Sequence, residues 1–401
     1  MVYLLEWDSK GMLLKRCIKQ STLTGGYIPI RNKVSMSLKP VFWEELYLLG
    51  FDQYWNIPKS DNPLLWYNVK SRCYYHNGRI VAKHSGGNVK TPPKVEVYEE
   101  DLKLDKNSIL KDVKRNKDLL IELEEEAINF IKEVSKNYND IVVSFSGGKD
   151  SLAVLYLTLK ALEDVDKNLQ VLYVNTTLES KYTLELVEKI KKWVEDKGVK
   201  FNIIYPKRDA YELMAEKGIP TRLNRWCCKY LKLYPIERFY YKLTGLKRVL
   251  SLEGLRKEES LRRSKYGRVE VDKVIKGEVK AHPILDWASL EVWLYLFLRE
   301  LPINRLYRYG LYRVGCIFCP FHQGWTEYIL KNVEDTGRYW ELLERQVKYV
   351  GVKDVPEYIL SGKWKARYSF NKEDFKRLLE TLEEVYREVC KDGEAKVLEF
   401  E

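Results

Sequence analysis

From Asn139 onward the chain alternates short apolar runs with segments of helical period. Residues 140–145, "QVLYVN" (170–175), "KFNIIYP" (200–206) and "RVLSLEG" (248–254) carry the β-branched and aromatic residues of buried strands. Between and after them, apolar residues at helical spacing predict helices over about 148–163, 179–197, 209–217 and 229–243. Alternation at this pitch predicts an α/β unit: a doubly wound parallel sheet with helices on both faces. Upstream, Lys106 to Tyr138 has Leu and Ile at helical spacing and reads as a connecting helix. Before that, "LLWYNVKSRCYYHNGRIVAKHS" alternates apolar and polar residues on both sides of Asn77-Gly78, a strong hairpin signal in a β-rich region. From Trp325 the pattern is wholly helical, with Gly362, Lys363 and Trp364 in a turn. The predicted units are 1–104 (β-rich and basic), 105–138 (connecting helix), 139–324 (the alternating α/β unit) and 325–401 (helical).

A length of 401 residues with 45% hydrophobic and 32% charged residues suits two or three folded domains and excludes a disordered chain. The net charge of +11 is uneven, because residues 1–94 hold 14 Lys or Arg against 6 Asp or Glu. An anionic partner and a merely solubilising surface account for this equally well. No apolar run approaches the roughly 18 residues of a membrane span, and the first segment has acids where a secretory signal would be apolar. The expectation is a cytoplasmic protein without membrane contact. Seven cysteines (17, 73, 227, 228, 316, 319 and 390) are too few and too clustered for a secreted disulfide framework, which leaves ligand chemistry.

The chemistry begins at "SFSGGKDS", residues 144–151, where the first strand breaks into a helix. Such a turn surrounds an anion with unpaired backbone N–H groups and the positive end of the helix dipole, and phosphate is the usual guest. Gly147 and Gly148 allow close approach, Ser146 and Ser151 offer hydroxyl donors, and Lys149 adds positive charge. Asp150 is out of place beside an anion unless it positions a cation. The spacing is neither that of the P-loop nor that of the dinucleotide fingerprint. It resembles the pyrophosphate loop (PP-loop) of the adenine-nucleotide α-hydrolase superfamily, which implies that fold for 139–324 and ATP or an adenylyl sulfate as ligand. Ser144 and residues Ser146 through Ser151 would then bind the nucleotide, with Lys149 and Asp150 in catalytic roles and Mg²⁺ assisting.

Cys227-Cys228 and Cys316-x-x-Cys319 supply four thiols in two close sets, pointing to zinc or an iron-sulfur cluster. Adjacent cysteines suit a relaxed tetrahedral zinc site poorly, which favours [4Fe-4S]. Over about 140–322 the chain resembles the phosphoadenosine phosphosulfate (PAPS) and adenosine phosphosulfate (APS) reductase family. "YVNTTLESKYTLELVE" is similar to its Asp-Thr-Gly segment, with Asn175, Thr176 and Thr177 in those places. "LEGLRKEESLRR" is similar to its Gly-x-Arg segment, implying that Gly254, Arg256, Ser260 and Arg263 approach the nucleotide. "HPILDWASLEVWLYLFLRELPINRLYRYGLYRVGCIFCP" resembles the stretch that ends in the second cysteine pair. The resemblance implies that Cys227, Cys228, Cys316 and Cys319 hold a [4Fe-4S] cluster.

Two departures change the expected reaction. Leu231 stands where the cluster-bearing reductases have Arg, with only Lys232 matching. The chain also ends "CKDGEAKVLEFE", without the reductases' Glu-Cys-Gly-Leu-His nucleophile; Cys390 is the one candidate. "WYNVKSRCYYHNGRIVAKHSGG" resembles an RNA-binding PUA domain, although a dimerisation or packing domain fits it as well. The first reading is ATP-dependent sulfur transfer to a nucleic acid, such as tRNA, with a sulfur or electron donor protein as partner. The second is a PAPS or APS reductase forming sulfite, and the third a non-catalytic RNA-binding nucleotide sensor. A homodimer is left open.

Overall fold

The computed structural model describes residues 2–8, 10–17, 37–245, 248–322, 324–334, 336–349 and 354–365. Among these residues there are thirteen strands. The first seven are β1 (Val2–Asp8), β2 (Gly11–Cys17), β3 (Leu38–Val41), β4 (Leu65–Asn68), β5 (Cys73–His76), β6 (Arg79–Ser85) and β7 (Lys94–Val97). They are followed by β8 (Asp140–Phe145), β9 (Asn168–Val174), β10 (Lys200–Ile204), β11 (Val249–Glu253), β12 (Val269–Val271) and β13 (Glu278–Ala281).

Ile141, Val143 and Phe145 of β8 join one core and Val142 joins another, so the strand is covered on both faces as a parallel strand requires. The larger core takes the helices Lys117–Ser135, Lys149–Ala161, Lys181–Glu195 and Ser289–Leu298. The smaller takes Tyr240 and its neighbours on the helix Tyr234–Thr244, against Val142, Leu172 and Val249. The sheet order is β10-β9-β8-β11-β13-β12, parallel throughout except for β12. The chain therefore winds outward from β8 to β10, then returns to the other side of β8 to place β11. Crevices for ligands form at the carboxyl ends of the two strands where the winding reverses, here β8 and β11.

Four strands and four helices follow the sequence expectation to within a few residues. The antiparallel edge made by β12 and β13 was not legible, because "VEV" and "EVKA" are short and interleave charges. The connecting helix is two helices, Ser108–Arg115 and Lys117–Ser135. Between them the buried Asn116 turns its side chain onto β2, accepting from Leu14 N–H at 2.7 Å and donating to the Met12 carbonyl at 2.8 Å. Asn116 thus imitates a neighbouring strand, and helical periodicity gives no hint of it.

The β5–β6 hairpin turns at Asn77 and Gly78 as expected, with φ of +48° and +82°. The described residues among the first 104 nonetheless form two sheets. β3 to β7 form an antiparallel sheet with its own core around Phe51, Leu65 and Tyr74. The β1–β2 pair instead sends Met12 and Leu14 into the core of the parallel sheet. Toward the C-terminus the described chain is helical at 324–333, 337–349 and 355–360, and Lys363–Lys365 forms a 3₁₀ turn. Cys390 lies outside the described residues. No helix among the described residues is long and apolar enough to cross a membrane.

Candidate nucleotide site and cysteine cluster

β8 ends at Phe145, and Gly147 then takes φ +72°, turning the chain into the helix Lys149–Ala161. A Cβ at Gly147 would stand 2.8 Å from Thr183 Cγ2, so glycine is required by both conformation and space. The two serines close the loop on itself. Ser151 Oγ donates to the Gly148 carbonyl at 3.0 Å and accepts from Ser146 N–H at 3.1 Å, and Ser146 Oγ lies 3.0 Å from it. A hydroxyl has one proton, so Ser151 spends its own on Gly148 and Ser146 donates to Ser151. Both hydroxyls, which the sequence offers to a phosphate, hold the turn in shape. Ser144 Oγ lies 3.2 Å from Ser251 Oγ across the β8–β11 pair.

Asp150 loses its oddity here. Its Oδ2 accepts from Lys149 Nζ at 2.6 Å and its Oδ1 from Arg256 Nε at 2.6 Å. Lys149 and Arg256 are buried, which favours their neutral forms. Burial and the Arg256 charge together push Lys149 below its ordinary pKa. Burial also disfavours the Asp150 charge, but the Lys149 and Arg256 charges outweigh it and hold the carboxyl below the usual range. Two cations from two strand ends thus converge on one carboxylate at the sheet reversal. Arg256 also donates to Glu258 Oε2 at 2.9 Å, and Gly254 presses against the main chain of Asp150.

Tyr307 was not anticipated. Its buried hydroxyl accepts from Lys149 N–H at 3.0 Å, occupying one of the helix's end donors. The segment bearing Tyr307 is tied to the connection between β3 and β4 by Arg308, which donates to Glu44 Oε1 at 2.5 Å and to Ser60 O at 3.2 Å. One Tyr among the three of "LYRYGLY" carries no signal for this role.

The other expected residues are spread more widely. Asn175 Oδ1 caps Thr177 N–H at 2.9 Å. Thr176 Oγ1 donates to Glu179 Oε1 at 2.8 Å and lies 3.4 Å from Cys316 Sγ, so the end of β9 touches the cysteines. Ser260 is exposed and accepts from Arg263 N–H at 3.1 Å, while Arg263 pairs with Glu259, on the turn beyond Arg256.

Cys227 and Cys228 lie on the short helix Trp226–Cys228, which runs through a π turn at Lys229–Leu233 into Tyr234–Thr244. Their hydrogen bond, then burial and the charges of Cys228, Cys316 and Cys319, push the Cys227 thiol up. The same hydrogen bond and Arg225, which donates to Cys228 Sγ at 3.4 Å, hold Cys228 down to about 5. Burial raises Cys316 to about 12. The two pairs are therefore close enough for their charges to interact, which suits a four-thiolate donor set. Among the described residues, no three His, Cys, Asp or Glu side chains are gathered as a metal would hold them. A cavity of about 280 Å³ lined by Asn137, Asp140 and Arg248 lies at the opposite end of β8, away from this chemistry.

The sequence pattern of the phosphoadenosine phosphosulfate reductase domain matches residues 140–322. Adenosine 5'-phosphosulfate reductase of Oceanobacillus iheyensis is 31% identical over 182 residues, covering 45% of this chain and 71% of that one. The chain belongs to the PAPS reductase family. An uncharacterised protein of Methanocaldococcus jannaschii is 36% identical over 259 residues, 64% of this chain and 52% of that one. The chain spans about half the length of that relative and of a second one from the same organism. The U34-tRNA thiolase NcsA of Methanococcus maripaludis, solved with its [4Fe-4S] cluster, shares a loose outline at a TM-score of 0.38 and 16% identity. It covers 64% of this chain and 82% of that one, and no shared substrate follows from so loose a match.

Proposed function

We propose that this family member is an ATP-dependent sulfurtransferase acting on a nucleic acid. The observation that carries the reading is the convergence of Lys149 and Arg256 on Asp150 at the helix N-terminus, with Thr176 joining that edge of the sheet to Cys316. An anion entering the loop would draw Lys149 and Arg256 from Asp150, leaving the carboxylate to a Mg²⁺ that accompanies ATP. An acceptor oxygen attacks the α-phosphorus, the bond to pyrophosphate breaks, and pyrophosphate departs against Lys149, Arg256 and the loop N–H groups. Sulfide-level sulfur from a donor then forms the carbon–sulfur bond as the carbon–oxygen bond breaks and AMP leaves. Cys227, Cys228, Cys316 and Cys319 would hold the [4Fe-4S] cluster, or zinc, with Lys232 and Arg225 offsetting their charge. Such a centre, when bound, supplies a place to hold the sulfur.

A second reading, sulfonucleotide reduction, is favoured by the identity to an adenosine 5'-phosphosulfate reductase. It needs a mobile thiolate, which in this sequence Cys390 would have to supply. The test is calorimetric titration of ATP, APS and PAPS into wild type and Lys149→Ala, with pyrophosphate, AMP and sulfite measured. ATP binding that weakens at least tenfold in the variant, with ATP turned over to AMP and pyrophosphate by the wild type, supports sulfur transfer. Affinities unchanged in Lys149→Ala remove the loop from the mechanism. Sulfite release that vanishes in Cys390→Ser restores the reductase.

A further inference from the structure

Between Lys217 and Arg248 the chain carries nine Lys or Arg and a single acid, Glu237. That excess of eight positive charges equals the excess over residues 1–94 but is packed into 32 residues. Arg225, Lys229, Lys232, Arg238, Lys242 and Arg248 are exposed. Aromatic rings are interleaved with them. Tyr234, Arg238 and Tyr241 follow one another at helical spacing along Tyr234–Thr244 and share a face, with Tyr234 39% and Tyr241 64% exposed. The buried residues of that helix, Pro235 and Tyr240, lie elsewhere on it.

The cations also sit over rings. Lys229 Nζ is 5.6 Å from the centroid of Tyr234, and Lys217 Nζ is 4.9 Å from that of Tyr230. The guanidinium carbons of Arg222 and Arg225 are 5.2 and 5.0 Å from the ring of Phe321, itself 38% exposed. Phe321 follows Cys319 by two residues, and Arg225 bonds Cys228, so the strip begins at the cysteines. Burial does not explain a Tyr that is mostly in solvent, and solubility does not explain rings alternating with cations.

We infer that residues 217–245 and Arg248, together with Phe321, form a track for single-stranded nucleic acid leading to the cysteines. Lys and Arg meet the phosphates, while unpaired bases stack on the exposed rings and guanidinium planes. A duplex would offer phosphates but no faces to stack, and an acidic protein would leave the rings unused. The inference rests on the nucleic-acid acceptor reading above and gives it a location, which is not the basic N-terminal region.

The test uses the full chain and anisotropy titrations over a salt series. The probes are a fluorescein-labelled unpaired oligoribonucleotide of about twenty residues, its duplex, and a polyglutamate peptide. The wild type should bind the single strand tightest. Lys229→Ala with Lys242→Ala should weaken binding and reduce the slope of log affinity against log salt by about 1.4, at about 0.7 per phosphate contact. Tyr241→Ala should weaken binding roughly tenfold at every salt concentration with the slope unchanged, as loss of one stacked base does. If the wild type binds and these variants match it, the track is wrong although the acceptor reading stands. Equal binding of the duplex or the peptide also overturns the track. A wild type that binds no oligonucleotide overturns it, and sulfite release from APS would then overturn the acceptor reading too.

Discussion

Gly254→Ala tests the join between the two strand ends. An ideal Cβ at Gly254 would lie 2.5 Å from Asp150 C, 2.6 Å from Ser151 N and 2.7 Å from Asp150 O. All three are main-chain atoms in the first turn of the Lys149–Ala161 helix, so no rotamer change relieves the clash. Ordinary contact begins at 3.4 Å, and the two segments must part by 3.4 minus 2.5, about 0.9 Å. Arg256 is only two residues beyond Gly254, and its 2.6 Å bond to Asp150 would stretch past hydrogen-bonding range. Overpacking costs about 1–3 kcal/mol, and a backbone clash belongs at the upper end. If the strain destabilises the whole unit, the urea midpoint falls by the equivalent of about 3 kcal/mol. If it is confined to the loop, nucleotide affinity falls about 100-fold, since about 1.4 kcal/mol is tenfold. The assay is urea denaturation followed by Trp fluorescence alongside ATP and APS titration. Gly267→Ala, whose nearest neighbour would be at 3.4 Å, serves as a control and should behave as wild type. A Gly254→Ala protein with wild-type midpoint and wild-type nucleotide affinity would refute the close-approach argument.

Replacing Cys316 and Cys319 together by Ser should reduce iron or zinc in anaerobically purified protein and lower the thermal midpoint with it, because metal binding and folding are coupled; full metal content in that variant places any metal elsewhere. Glu278 is 2% exposed, and burial pushes its carboxyl up to about 7 despite Lys280 Nζ at 3.7 Å. Its folded pKa lies above the ordinary 4.5, so its contribution to stability is lost as pH rises from about 4.5 through about 7. Glu278→Gln should match wild type near pH 4.5 and exceed it near pH 8 by at most about 3 kcal/mol, from about 2.5 pKa units at about 1.36 kcal/mol each. Identical urea midpoints at both pH values would show that Glu278 does not titrate in this way.

The local sequence determined most of the parallel sheet. β8 to β11 are runs of β-branched and aromatic residues, and their helices repeat at 3.6 residues, so a short window sufficed to find them. The Gly147 turn was legible too, because two glycines between a strand and a helix leave few other conformations. What each polar side chain does there was decided by tertiary structure. Asp150 and Arg256 are 106 positions apart and Lys149 and Tyr307 158 apart, and only the reversal of winding beside β8 brings them together. The bonds that the loop serines make with one another and with Gly148 were not legible, because a hydroxyl's partners are set by what lies nearest in space. The break at Asn116 and the division of the first 104 residues between two cores have the same origin. Periodicity reports which face of an element is apolar, and only the packed chain determines what that face meets.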